Sequence, residues 1–213
     1  MNHPAAECIP LFPEEEIPFI LQAVLRCGKQ LRKKAPRERE DHLTDRLRAI
    51  LDRDRELARR PVELFREVSI YERQQPKEKP LGRTDVVFLF STGSRKPWPY
   101  FAIECKRLHV TFLSGLRLLI NEYVTGHQGM MCFIEQRYSR GLGHGAMMGY
   151  VFDGKVDAAR ESVAQSIRQH HDKLQANHQG EMQPSALSIA EIHETHHQIG
   201  DRLFVLHHLF VPV

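Results

Sequence analysis

The chain has 213 residues, enough for one domain with a sizeable core, and a hydrophobic content of 41% that suits a soluble globular protein. No apolar run approaches the roughly 18 residues of a membrane span. A formal net charge of +3 is too small to mark the whole surface for nucleic acid, so any phosphate-binding face must be local.

Four scattered cysteines, Cys8, Cys27, Cys105 and Cys132, form no CxxC pair. That argues for reduced thiols rather than a disulfide framework or a zinc site. The opening MNHPAAECIPLFPEEE lacks the basic start and apolar core of a signal peptide, so a cytoplasmic protein is expected.

Residues 1–13 are expected to be an irregular lead. A helix is predicted over Glu14–Lys34, where Ile20, Ala23, Val24, Cys27 and Leu31 recur at helical spacing. Acids open it and Arg32, Lys33 and Lys34 close it, which suits the helix dipole. Pro36 breaks the pattern. A second helix is predicted from about Arg37 to Arg59, with Leu43, Leu47, Ile50, Leu51 and Ala58 as its stripe. Glu40 falls in the middle of that stripe. An unpaired buried charge is costly, so Glu40 either reaches a cation or occupies a frayed first turn, where acids are favoured.

Val62–Glu72 reads as the first strand and Arg73–Leu81 as a polar turn. Val86–Phe90 and Tyr100–Cys105 read as two apolar strands joined by the Ser-, Gly- and Pro-rich loop Ser91–Pro99. With a period of two, Ala102, Glu104 and Lys106 share one face, and Phe101, Ile103 and Cys105 the other. If the loop closes symmetrically, Asp85 falls opposite Glu104. Two carboxylates and an ammonium then share one face, and six apolar side chains lie behind. Adjacent carboxylates repel and need a cation. Such oxygen donors suit Mg²⁺ or Mn²⁺, and a neighbouring lysine can orient a water or stabilise developing charge. An ordinary surface hairpin with a Glu–Lys pair is the plain alternative.

Helical material is predicted over Phe112–Thr125 and Met130–Arg140, where Arg117, Gln128, Arg137 and Tyr138 are polar residues able to reach a nucleic-acid backbone. A buried strand over Gly145–Phe152, a helix over Lys155–Gln175, and strands over Ala186–Ile192 and Arg202–Val211 complete the chain.

Gly82-Arg83-Thr84-Asp85, followed by Glu104-Cys105-Lys106 on the next apolar strand, resembles the core motif of the PD-(D/E)xK nuclease superfamily, with Thr84 where a proline is usual. Glu40-Asp41-His42-Leu43-Thr44-Asp45-Arg46-Leu47 is similar to the first core helix of many members, in which a glutamate points at the site. The resemblance implies an α/β (α+β), restriction-endonuclease-like αβββαβ core over residues 36–213, with residues 1–35 as an N-terminal extension. It implies a Mg²⁺-dependent nuclease acting on DNA, with Mn²⁺ as a substitute. Asp85 and Glu104 would be metal ligands, joined by the Cys105 carbonyl; Glu40 would be a third ligand or a water-orienting base, and Lys106 would activate or position the water. It also implies work in restriction, repair or phage defence, a separate targeting or regulatory partner protein, and a homodimer if both strands are cut. Some members carry a Gln or Tyr facing the site after the ExK strand. A non-catalytic nucleic-acid-binding protein of the same fold is the alternative.

His193-Glu194-Thr195-His196-His197 matches the HExxH zinc-site pattern, and Gly200 extends it. The third histidine of the longer pattern would stand at 203, which is Leu203, and the preceding ALSIAEI is strand-like rather than helical. A zinc peptidase, a lone zinc site, and hydrogen-bonding histidines stay open, as does an approach of His193, His197, His207 or His208 to the carboxylate site.

Overall fold

A computed structural model describes residues 12–66, 69–70, 82–90 and 99–213. Most of the expected lead, the turn over 73–81 and nearly all of the 91–99 loop lie outside the described residues. Two helices come first, α1 (Ile17–Gly28) and α2 (Glu40–Leu51). The strands are β1 (Val62–Arg66), β2 (Ser69–Ile70), β3 (Gly82–Arg83), β4 (Val86–Phe90), β5 (Tyr100–Leu108), β6 (Val110–Phe112), β7 (Gly115–Arg117), β8 (His144–Val151), β9 (Gln183–Pro184), β10 (Ile192–Ile199) and β11 (Arg202–Pro212). Helices α3 (Ile120–Val124) and α4 (Met131–Ile134) precede β8, and α5 (Val156–Gln169) follows it.

Seven strands form one mixed sheet in the order β1-β4-β5-β8-β11-β10-β9. The central β5, β8 and β11 run parallel, and the outer pairs are antiparallel. Alternation along the strands divides the interior in two. Phe101, Ile103, Cys105, Met148, Tyr150, Leu209 and Val211 pack with α1 and α2. Ala102, Leu108, Met147, Val151, Leu206 and Phe210 pack with α3, α4 and α5. The result is a mixed α/β architecture with helices on both faces of the sheet. No helix among the described residues is long and apolar enough to cross a membrane.

Both N-terminal helices are shorter than their periodicity predicts. α1 stops at Gly28, where an added Cβ would lie 2.5 Å from Met148 Cε and 3.1 Å from Val211 Cγ1, so the helix end packs closely on the sheet. Lys33, expected in that helix, instead donates to the carbonyls of Phe152 and Val213, each at 2.6 Å. α2 gives way to a turn in which Asp54 accepts the backbone N–H groups of Glu56 and Leu57 and the Arg26 guanidinium. That local carboxylate bonding competes with helix continuation.

Three expectations are corrected. The helix expected over 112–125 is largely the β6–β7 hairpin, and only Ile120–Val124 is helical. Val110 and Thr111 are β-branched and favour a strand, and Gly115 supplies the left-handed turn at φ 108°. The helix expected over 130–140 is only α4, because Gln136 and Ser139 take φ of 54° and 52°. The strand expected over 186–192 is a turn. The strand is Ile192–Ile199, a histidine-rich stretch that reads as polar.

His197 and His208 are buried because Thr195, the Leu174 carbonyl and Tyr123 satisfy their ring nitrogens. His197 Nδ1 donates to the Leu174 carbonyl at 2.8 Å, and its Nε2 lies 2.7 Å from Thr195 Oγ1. Thr195 Oγ1 is 2.9 Å from His208 Nε2, and His208 Nδ1 is 3.0 Å from Tyr123 Oη. A carbonyl only accepts, so one proton pattern fits neutral rings. Thr195 donates to His197, His208 donates to Thr195, and Tyr123 donates to His208. Burial lowers His197 to about 4 and His207 to about 3, and holds His208 well below its ordinary value.

These depressed values set the sign of the acid response. Below the ordinary histidine value of 6.5 the unfolded chain binds more protons than the native one. Stability is therefore full above that value and falls toward pH 4, by about 1.4 kcal/mol per pH unit for each such histidine. Urea melts between pH 7.5 and 4.5 should show midpoints that drop steadily on the acid side. Thr195→Val should cost roughly 2–4 kcal/mol at neutral pH, since it strands two imidazole nitrogens, and the same melts read it.

Candidate active site

The β4–β5 ladder pairs Val86 with Ile103 and Val87 with Ala102, so its next step sets Asp85 against Glu104. This is the register expected from symmetric loop closure. Val86, Phe88, Phe101, Ile103 and Cys105 lie together in the core behind, with Phe90 packed against them. Asp85 itself sits in a bend just before β4, and two contacts orient it. Its Oδ2 accepts the Cys105 N–H at 2.8 Å. Its carbonyl accepts from the Arg48 guanidinium, through Nε at 2.6 Å and through Nη2.

Lys106 is the centre of the cluster. Its ammonium donates to Glu40 Oε1 at 2.8 Å, Glu104 Oε1 at 2.9 Å and the Cys105 carbonyl at 2.8 Å. Glu40, the first residue of α2, also accepts the Arg107 N–H through Oε2 at 3.0 Å. Thus Glu40 both opens its helix and reaches the strand that carries Glu104 and Lys106. Glu104 is 3% exposed, and its Oε2 is buried with no hydrogen-bond partner.

Burial, and then the charge of Asp85, push the Glu104 carboxyl up to about 8, against the pull of Lys106. Burial also raises Asp85, opposed by Lys106 and by the Cys105 N–H. Burial alone would lower Lys106, but Glu104, Glu40 and Asp85 outweigh it and hold the ammonium above its ordinary value. Three carboxyl groups thus gather on one ammonium, and burial favours the protonated forms of Glu104 and Asp85.

The oxygen donors around Lys106 are of the kind that hard divalent cations take. They include carboxylates from Asp85, Glu104 and Glu40, the Cys105 carbonyl, and a buried carboxylate oxygen without a partner. Mg²⁺ binds through one or two carboxylates and keeps several waters. Among the described residues no three His, Cys, Asp or Glu side chains are gathered as a ready-made ligand set, so any cation here would complete its shell with the carbonyl and water.

Of the remaining polar candidates only Tyr138 lies in the electrostatic reach of the cluster. Arg117 and Gln128 are exposed. Arg137 is tied to Glu135 and to the His127 carbonyl. Tyr138 is 2% exposed, packs edge-on to Phe133, and has its phenol raised by burial and then by the charge of Glu104. Arg48 went unsingled in the sequence, although Glu40, Thr44 and Arg48 recur at helical spacing and share one face. Thr44 shares a hydrogen bond with the buried Tyr150 at 3.2 Å, and Arg48 is 6% exposed, so that face points inward.

The HExxH stretch lies on β10, not on a helix. His193 and His197 are therefore about 13 Å apart along a strand, too far to share a zinc ion. Glu194 projects to the opposite face, where it accepts from Ser185 Oγ and the Ala186 N–H and pairs with His196. His207 stacks on His144, with ring centroids 5.5 Å apart. His197, His207 and His208 bind the C-terminal strands together.

No family model matches the chain, and neither a curated protein nor a solved structure does.

Glu104→Gln removes the buried charge and keeps an acceptor for Lys106. In EDTA this variant should melt above the wild type by roughly 2–4 °C, about 1 kcal/mol for a domain of this size. The native state holds an extra proton between the ordinary glutamate value and about 8, so ionisation costs stability as pH rises through that window. The gap between the two proteins should therefore widen from pH 6 to pH 8.5. Mn²⁺ should raise the melting temperature of the wild type and not that of the variant.

Proposed function

We propose that the chain is a metal-dependent nuclease of the PD-(D/E)xK type that hydrolyses phosphodiester bonds in DNA. The observation that carries this reading is the convergence of Glu40 and Glu104 on the Lys106 ammonium, with Asp85 facing Glu104 across the ladder. These residues come from α2, the bend before β4, and β5, well apart in sequence. An incidental surface hairpin has no reason to bury Glu104 at 3% and Lys106 at 6% exposure, because isolated buried charge is costly. The order α2, β1, β4, β5, helical segment, β8 also supports the restriction-endonuclease-like core.

In this reading Asp85 and Glu104, with the Cys105 carbonyl, hold Mg²⁺ or Mn²⁺. Glu40 is a further ligand or orients water through Lys106. The bound cation supplies charge neutralisation at the scissile phosphate and a more acidic water. Lys106 is a charge-bearing donor beside that phosphate. The Lys106 N–H groups, which here bond Glu40 and Glu104, would hold the attacking water or stabilise charge on phosphoryl oxygens. Arg48 keeps Asp85 in place through its backbone.

The test is cleavage of supercoiled and linear plasmid by purified protein with Mg²⁺, Mn²⁺ or EDTA. Asp85→Ala and Lys106→Met should each lower the metal-dependent rate by at least about 100-fold while the proteins still fold. Equal cutting by wild type and variants would sink the assignment. DNA binding without cutting by any form would favour a binding protein of this fold, or a nuclease that needs a separate partner protein.

A further inference from the structure

The β4–β5 ladder ends at the pair Val86–Ile103, while β8 follows the other edge of β5 as far as Leu108. From Glu104 onward the edge that faced β4 carries no strand among the described residues. Carboxylates take its backbone donors instead. Asp85 Oδ2 accepts the Cys105 N–H at 2.8 Å, and Glu40 Oε2 accepts the Arg107 N–H at 3.0 Å. This bare stretch of β5 borders the carboxylate site.

Two cations straddle it. Lys106 and Arg107 are consecutive, about 3.8 Å apart at Cα, and their side chains leave opposite faces of the strand. Both end against the chain that opens α2. Lys106 donates to Glu40, and Arg107 Nη1 donates to the Glu38 carbonyl at 3.1 Å. Their settings differ. Lys106 sits among carboxylates, whereas no carboxylate among the described residues bonds the Arg107 guanidinium. The Glu38 carboxylate is committed to Arg46 and to the Lys34 N–H. Glu40 is committed to Lys106 and to the Arg107 backbone. Arg107 Nε is buried with no hydrogen-bond partner. By contrast Arg26, Arg46, Arg48 and Arg60 each bind an acid.

A guanidinium is always charged, and a buried N–H without an acceptor is costly. The acceptor that Arg107 lacks within the chain is an anion able to meet a planar fork of donors, and phosphate is such an anion. We propose that Arg107 binds a phosphate of the DNA strand being cut, next to the phosphate held at the carboxylates, and so fixes that strand along the bare edge of β5. The inference rests on the nuclease reading above. Lys106 then serves the scissile phosphate from one face of β5, and Arg107 holds its neighbour from the other. Arg107 moves no proton, because a guanidinium stays protonated. Its part is to bind and align substrate.

The experiment is steady-state cutting of a labelled 25-base-pair duplex by the purified chain with Mg²⁺, over a range of DNA and salt concentrations. It uses wild type, Arg107→Gln and Arg107→Lys, with thermal melts to check folding. Arg107→Gln should raise KM about tenfold and leave kcat within about threefold. It should also lower the slope of log KM against log salt by about 0.9, one phosphate contact fewer. Arg107→Lys keeps the charge and loses the fork, so KM should rise about threefold with the slope unchanged. If Arg107→Gln does not fold, the lysine variant decides, and a wild-type KM there overturns the proposal. If both variants match the wild type in KM and slope, water satisfies the guanidinium, and the nuclease reading stands without this contact. A lower kcat and melting temperature with the Arg107→Gln slope unchanged would mean that Arg107 only holds residues 38–40 in place, and the proposal falls. If the wild type neither binds nor cuts DNA, the nuclease reading fails and this inference goes with it.

Discussion

An ammonium set among carboxylates is the constraint around which the molecule is arranged. Lys106 touches Glu40 and Glu104 directly and lies in the field of Asp85. None of these groups is stable alone in a buried setting. Each is tolerated because α2 and the β4–β5 pair bring the others within reach. The helix contributes twice, through Glu40 at its first residue and through Arg48 two turns later. Movement of α2 against the sheet would unseat one carboxylate and the backbone of another together.

The sheet places this cluster where a site can exist. β5 is central and buried on both sides, so its side chains are held rigidly. The ladder with β4 extends one step to Asp85, which lies in a bend and is steered by side-chain contacts instead of strand pairing. Asp85 is thus fixed from two sides, by the Cys105 N–H on its carboxylate and by Arg48 on its carbonyl. The buried, unpartnered Glu104 oxygen is the structural cost of that arrangement.

Some of this was legible from residues alone. Period-two alternation with a symmetric loop placed Asp85 opposite Glu104, because burying the six apolar side chains behind leaves one workable register. Glu40 was legible as an acid in an apolar stripe. Arg48 was missed because its partner is a backbone carbonyl, which no side-chain pattern announces. β6–β7 was mistaken for a helix because its leucines recur at a spacing that suits both periods. β10 was missed because burial of histidines is normally unfavourable, and here it depends on Thr195, Leu174 and Tyr123, supplied from three different parts of the chain. Long-range pairing of polar groups has no local signature.

The position of β11 has a consequence for how the chain is made. β11 follows β10 in sequence, yet it lies between β8 and β10 within the sheet. Until those residues leave the ribosome, β8 presents an open edge beside the apolar faces of Met147, Met148 and Tyr150. Such an edge is a template for pairing with other chains. Biogenesis of this protein therefore passes through a state whose central strand is unprotected. Closure of the sheet is therefore a long-range pairing of β11 with β8 rather than a zipping of neighbours in sequence.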